Sequence, residues 1–178
     1  MFQNLQYNFY SLKDIKNFDI LKTFRCSIAP DIEDFLRNKA IEFEKRDVSR
    51  TYLLIDTINL KIVAYFTLSI SVSTTNKLSK TQIKKIDGFS KFRECLGFYL
   101  IGQLGIDDNY RKLHKNKGLG NFLVDFAYDI CKNSQNLVGG RFILIDAIKD
   151  KKVIEFYENN HFYKLYEDDE SIKMIMEL

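Results

Sequence analysis

The sequence predicts a mixed α/β (α+β) chain, with a central β-sheet covered by helices on both faces. Three features carry that expectation. "FYLIGQLGI" from Phe98 is a predominantly apolar run of strand length, suited to a buried central strand, and "RFILIDAI" from Arg141 reads as another buried strand. The segments after Pro30 and after Gly118 repeat apolar residues at helical spacing. From Phe98 onward, strand and helix patterns alternate, the order that lays helices on the faces of a sheet.

Taken in order, the elements are these. Pro30 precedes "DIEDFLRNKAIEFEKR", in which Ile32, Phe35, Leu36, Ala40 and Phe43 share one helical face. Asp31, Glu33 and Asp34 fall in its first turn, where the helix dipole favours negative charge. "TYLLIDTINLKIVAYFTLSIS" reads as a hairpin of two strands with its turn at Asn59. Residues 73–95 form a polar excursion with a short helix near Lys80–Ile86. After the strand at Phe98 comes a basic loop, then a helix marked by Leu119, Phe122, Leu123, Phe126, Ala127 and Ile130. "RFILIDAI" is a second buried strand, and "KDKKVIEFYENNHF" a short helix with Val153, Phe156 and Tyr157 on one side. "FYKLYEDDESIKMIMEL" reads as strand, acidic turn, strand.

At 178 residues, with 46% hydrophobic and 14% aromatic, the chain suits a single domain over 1–178 with a substantial core. No apolar run approaches the length of a membrane span, and the N-terminus has no basic-then-apolar leader, so a cytoplasmic protein with no membrane partner is expected. Cys26, Cys95 and Cys131 are scattered and odd in number, which favours reduced, buried thiols. With only His114 and His161 and no ligand spacing, no metal site is expected. A net charge of +3 does not by itself indicate nucleic-acid binding. The distribution is more telling: Lys77, Lys80, Lys84, Lys85, Lys91 and Arg93 crowd the excursion, and Arg111, Lys112, Lys115 and Lys117 precede a glycine turn.

That turn, Gly118-Leu119-Gly120, stands between a buried strand and a helix. Glycines let backbone approach an anion, and the unpaired N–H groups of a helix start point at it. Lys115 and Lys117 would add charge. An ordinary loop accounts for the same residues. "KNKGLGNF" is not a P-loop, because it lacks Gly-Lys-Ser/Thr, and it has no third glycine for a dinucleotide fingerprint.

The strand "LIGQLGI", the run Lys115-Asn116-Lys117-Gly118-Leu119-Gly120 and the later "RFILIDAIKDKKVIEFYENNHF" together resemble the GNAT superfamily of acetyl-CoA-dependent N-acetyltransferases. The superfamily signature is a strand, then Arg/Gln-x-x-Gly-x-Gly/Ala, then a helix; the later segment is similar to its strand followed by "FYEKxGF". The resemblance runs from about Phe24 to Leu178. Lys115 stands where Arg or Gln is usual, giving charge without a planar fork. The loop before Gly118 is longer than usual, and His161 stands where glycine is common. "FRCSIAPDIEDFLRNKAIEF", "SRTYLLID" and "IVAYFTLSIS" add a likeness to the toxin-type branch. Its members acetylate the amino group of aminoacyl-tRNA and are restrained by a small DNA-binding antitoxin.

The resemblance implies a GNAT-like sheet, acetyl-CoA as cosubstrate, and tRNA and an antitoxin as partners; whether the chain forms a homodimer is left open by the sequence. It implies that backbone of Leu104, Gly105 and Ile106 holds the pantetheine and can donate to the developing oxyanion, while Lys115, Lys117, Gly118, Leu119 and Gly120 hold the pyrophosphate. It makes Tyr157 the general acid that protonates the departing thiolate; from the residues alone, Tyr157 reads as a core aromatic beside Phe156. Lys80, Lys84, Lys85 and Lys91 are candidates for holding a tRNA acceptor stem, or are simply solvated. Tyr52, Tyr65 and Phe66 are candidate acceptor-pocket residues or core, and Asp146 either orients an amine or caps the next helix. Acetylation of a protein or small-molecule amine, and a non-catalytic CoA-binding module, remain open.

Overall fold

Pro30 sits at the first position of helix α1 (Pro30–Asp34), where its missing N–H costs nothing. The computed structural model describes residues 7–115 and 117–178. The segment expected to be one regular helix does not stay α-helical. A π-helical turn (Phe35–Lys39) joins α1 to α2 (Ala40–Lys45), and the Ala40 N–H reaches back five residues to the Phe35 carbonyl. The wider turn shifts the register of the apolar face. Leu36 and Ala40 remain buried, but Glu44 takes the next inward position and Phe43 turns out, 36% exposed. Its Oε2 accepts the Thr51 N–H at 2.9 Å, while its Oε1 lies 3.3 Å from Arg50 as an ion pair without a hydrogen bond.

Strand β1 (Tyr7–Ser11) pairs antiparallel with β2 (Arg50–Asp56), which pairs antiparallel with β3 (Lys61–Thr74). The Asp56 carboxylate closes the β2–β3 turn by accepting the N–H groups of Ile58 and Asn59 and the Asn59 amide. Helix α3 (Lys80–Asp87) begins with a capping box between Ser79 and Gln82. Strand β4 (Cys95–Ile106) is followed by α4 (Asp108–Leu113) and α5 (Leu119–Val138). Then come β5 (Phe142–Ile148), α6 (Lys151–Asn159), β6 (Tyr163–Glu167) and β7 (Ser171–Glu177).

The seven strands form one mixed sheet in the order β1-β2-β3-β4-β5-β7-β6. β4 and β5 are parallel, with Tyr99, Leu100 and Ile101 opposite Ile143, Leu144 and Ile145. β7 pairs antiparallel with the whole of β5, from Phe142 opposite Glu177 to Ile148 opposite Ser171. Its buried Met174, Ile175 and Met176 suit an inner strand, while β6, with exposed Lys164 and Glu167, takes the edge.

The chain divides into two compact units, one ending at Ser69 and resuming over Gly102–Leu123, the other Ile70–Ile101 with Val124–Leu178. The first is built around Phe24, Leu36, Leu53 and Tyr65. Tyr65 donates to the Ile32 carbonyl at 2.6 Å and meets the Phe24 ring edge-on at 5.2 Å. The second is built around Phe98, Phe142, Leu144 and Ile175. Along α5 the buried residues are Leu119, Leu123, Val124, Ala127 and Cys131, so the inward stripe lies one position from Phe122, which is exposed. Cys26 and Cys131 are buried free thiols as expected; Cys95, at the start of β4, is exposed.

Gly105 shows how tightly the first unit closes on β4. A Cβ there would lie 2.5 Å from the Ile32 Cγ2 methyl and 3.1 Å from the rings of Phe24 and Tyr65. Ile32 is β-branched and cannot swing clear. Gly105→Ala is expected to lower unfolding free energy by about 1–3 kcal/mol, the usual range for overpacking. Urea denaturation checks this, and an unchanged midpoint would show that α1 moves away freely.

Candidate functional site

The residues between β4 and α5 belong to the first unit, and those described include a short helix where a basic loop was expected. Asp107, 2% exposed, ends the strand and caps α4. Its Oδ1 accepts the Asn109 N–H at 2.9 Å, its Oδ2 accepts the Arg25 N–H at 2.9 Å, and its own N–H donates to the Val63 carbonyl at 2.9 Å. The additional length before Gly118 is therefore largely helix α4, which carries Tyr110 and leads to His114, both buried. Tyr110 donates to Asp56 at 2.7 Å, and His114 Nε2 lies 2.8 Å from the Tyr7 hydroxyl. Burial, helped by the charge of Lys117, holds the His114 imidazole below its ordinary value, so it is neutral at pH 7.

Gly118 has φ +73°, in the left-handed region, with open space where a Cβ would stand. Its carbonyl accepts the Phe122 N–H at 3.0 Å, which makes it the N-cap of α5. A glycine cap has no side chain to cover the N–H groups of Leu119 and Gly120, and the positive end of a 20-residue helix lies there. Lys115 and Lys117 are exposed beside it; Asn116 lies outside the described residues. On β4, Leu104 and Ile106 are half-buried and Gly105 is buried. The Ile106 carbonyl already accepts from Arg111 Nη2 at 2.7 Å. Leu104, Gly105, Ile106, Lys115, Lys117, Gly118, Leu119 and Gly120 are thus gathered in one unit, and their donor set suits a phosphorylated anion.

Tyr157 belongs to the second unit, at the end of α6. The Phe162 N–H donates to the Tyr157 carbonyl and the His161 N–H to the Glu158 carbonyl, both at 3.0 Å. This is a Schellman ending, with His161 at φ +67° in the position that favours glycine. Its hydrophobic contact is Tyr157 against Phe162, with ring centroids 5.5 Å apart, and Phe156 touches the Tyr157 ring from another side at 4.9 Å. The ring is therefore held by packing, as a core aromatic would be. No protein group among the described residues hydrogen-bonds its hydroxyl. Burial pushes the phenol up to about 12, so it stays protonated and able to donate at neutral pH.

Of the expected cations, Lys80, Lys84, Lys85 and Lys91 also lie in the second unit. Three stand over rings: Lys80 and Lys91 over Phe92 at 5.4 and 5.2 Å, and Lys85 over Tyr163 at 4.5 Å. Lys84 is exposed on α3. Tyr65 and Phe66 are fully buried and belong to the core, not to an acceptor pocket; Tyr52 stacks on Phe66 at 5.2 Å. Asp146 pairs with Lys173, and the cap of α6 is Asp150, whose Oδ1 accepts the N–H groups of Lys152 and Val153. Among the described residues no cluster of metal-ligating side chains occurs, and no helix is long and apolar enough to cross a membrane. Asp107 was missed in the sequence, though an Asp followed by Tyr110 and His114 at helical spacing was the available signal.

His161→Gly is expected to raise stability by up to about 1 kcal/mol, because glycine relieves the left-handed backbone and returns part of the gain as unfolded-chain entropy. Chemical denaturation of the variant checks this; a lower midpoint would mean that the imidazole makes a stabilising contact.

No family model and no curated protein matches the sequence. Solved structures do match in fold. The chain superposes on AtaT complexed with acetyl-methionyl-tRNAfMet at a TM-score of 0.77 and 23% identity, covering 95% of this chain and 94% of that one. It superposes on a tyrosine-to-phenylalanine variant of the AtaT toxin, bound to acetyl-CoA and the C-terminus of the antitoxin AtaR, at 0.72 and 18% identity, covering 96% and 92%. For the KacTA–DNA complex the values are 0.72, 20%, 97% and 93%. The chain has the GNAT-like fold of the AtaT and KacT structures, along nearly its whole length.

Proposed function

We propose that the chain is an acetyl-CoA-dependent N-acetyltransferase that acts on the α-amino group of an aminoacyl-tRNA, as the toxin of a pair with a small DNA-binding antitoxin. The observation that carries this reading is the end-to-end likeness in fold to AtaT in complex with acetyl-methionyl-tRNAfMet. The glycine-capped start of α5 and the Tyr157 hydroxyl supply the chemistry that such a fold needs.

Acetyl-CoA supplies the acetyl group as an activated thioester. The N–H groups of Leu119 and Gly120 receive its phosphates, and Lys115 and Lys117 add point charge nearby. Leu104 and Gly105 offer backbone groups for strand-like pairing; at Ile106 the N–H serves better than the carbonyl, which Arg111 already engages. Tyr157 holds its proton up to about 12 and delivers it to the leaving sulfur. The α-amino group of an aminoacyl ester is less basic than a lysine side chain, so no dedicated histidine base is required. His114, buried against Tyr7, is reserved for structure. AtaT and KacT have each been solved with one tyrosine changed to phenylalanine, in keeping with a working role for a tyrosine hydroxyl in this fold.

Purified protein, labelled acetyl-CoA and a complete pool of charged tRNA provide the test. The wild type is expected to label aminoacyl-tRNA. Tyr157→Phe keeps the ring contacts with Phe156 and Phe162, so it is expected to bind acetyl-CoA normally and transfer about 10²–10⁴-fold more slowly. Labelling of free amines or proteins but of no aminoacyl-tRNA would remove the tRNA substrate. Full turnover by Tyr157→Phe would return that residue to a purely structural part.

A further inference from the structure

The excursion between β3 and β4 holds two phenylalanines in water. Phe89 is 89% exposed and Phe92 69% exposed. Leaving such rings in solvent forgoes burial worth about 1.5–3 kcal/mol each. The turn that presents them is nonetheless firmly braced. Asp87 accepts the N–H groups of Phe89 and Ser90 and the Arg93 Nε–H, and Ser90 Oγ accepts the Phe92 N–H. Gly88, at φ +85°, ends α3, and Arg141 ties the carbonyls of Lys85 and Ile86. Thr75 donates to the Arg93 and Glu94 carbonyls.

The charge around these rings is predominantly positive, with Glu94 the one exposed acid of the excursion. Asp87 is occupied by Arg93 and backbone N–H groups. Among the described residues, Lys77, Lys80, Lys84, Lys85 and Lys91 have no carboxylate partner. Lys77, Lys80, Lys85 and Lys91 instead rest about ring faces: Tyr166, Phe92, Tyr163 and again Phe92. An exposed cation–π contact is worth only about 0.5–1 kcal/mol, so these ammonium groups are readily redirected to a stronger anion.

We infer that Phe89 and Phe92 form a stacking platform for unpaired bases of a nucleic-acid strand, whose phosphates take the neighbouring lysines. A nucleotide carries a flat π-face and an anion tethered by one sugar. A rigid exposed ring with ammonium groups about 5 Å away matches both parts. Duplex would meet only the lysines, because its bases are already stacked. The inference deepens the tRNA reading above and rests on it for the identity of the natural strand.

The test uses the full chain, a single-stranded RNA dodecamer bearing 2-aminopurine, and the same sequence as duplex. Phe89→Ser/Phe92→Ser is expected to weaken single-strand binding by about 5- to 150-fold per stacked ring, and to abolish the change in 2-aminopurine emission. Duplex binding should be unchanged, as should the slope of log Kd against log salt, since no phosphate contact is lost. Phe89→Leu/Phe92→Leu keeps apolar bulk without a π-face and should fail in the same way. Gln at Lys80, Lys84, Lys85 and Lys91 should flatten the salt slope for both RNAs. Unchanged single-strand binding, equal losses on single strand and duplex, or retention by the leucine variant would overturn the platform. So would a poly-glutamate peptide that binds as tightly as RNA and is lost in the serine variant, since that marks a protein-docking face. Binding is read without acetyl-CoA, so the two readings fail separately. Stacking without acetylation of any aminoacyl-tRNA sinks the substrate assignment alone. Undiminished acetylation by the serine variant sinks the platform alone.

Discussion

Everything around the head of α5 depends on one buried carboxylate. Asp107 accepts an N–H from Asn109 and another from Arg25, while its own N–H goes to Val63. One residue thus ends β4, starts α4 and fastens the segment at Arg25 to both. The neighbouring Asp108 repeats the stitch by receiving the Ser27 N–H at 3.0 Å and donating its own N–H to the Arg25 carbonyl at 2.9 Å. Hydrogen bonds to a charged group are worth about 1.5–3 kcal/mol each, against about 1 for neutral ones. Strong local bonding of this kind would hold the backbone in place for the ligand we propose at the start of α5. Four residues on from Tyr110, which donates to Asp56, His114 closes against Tyr7, and the chain reaches Gly118 already oriented.

Tyr157 is positioned by a different device. Helix α6 ends in a Schellman motif whose carbonyl acceptor and hydrophobic partner are both Tyr157. The backbone that stops the helix therefore also fixes the ring, and the hydroxyl needs no protein partner to be held in place. The same construction explains why a glycine would suit the position of His161: a left-handed residue is required there. The histidine is a local cost that the motif tolerates, not a sign that the turn has changed shape.

Much of this could be read in the sequence, for physical reasons that differ by element. The buried strands β4 and β5 announce themselves because no polar residue interrupts "FYLIG" or "FILI". The turn at Asn59 and the short helix near Lys80 follow from side chains that bond their own backbone, Asp56 in one case and Ser79 with Gln82 in the other. The π-helical turn could not be read, because its signature lies in backbone hydrogen bonds such as that from Ala40 to Phe35 and no residue type demands it. The consequence, Glu44 inside and Phe43 outside, reverses what apolar periodicity predicts. Helix α4 hid among the cations, since a six-residue helix shows less than two turns of periodicity. The inner place of β7 is set by long-range pairing with β5, which local pattern does not encode. Phe89 and Phe92 look like core residues until their exposure is seen.

We propose that the glycine-capped start of α5 holds the phosphates of acetyl-CoA. Calorimetric titration of acetyl-CoA into the wild type and Gly120→Glu tests it most directly. A glutamate in the first turn of a helix is favourable for folding, so the variant should remain folded. It nevertheless brings a carboxylate, and bulk, to where we propose that a phosphate sits. Saturable binding to the wild type is expected, with affinity at least about tenfold weaker in the variant. Equal affinity in both proteins, or no binding to the wild type, would contradict it.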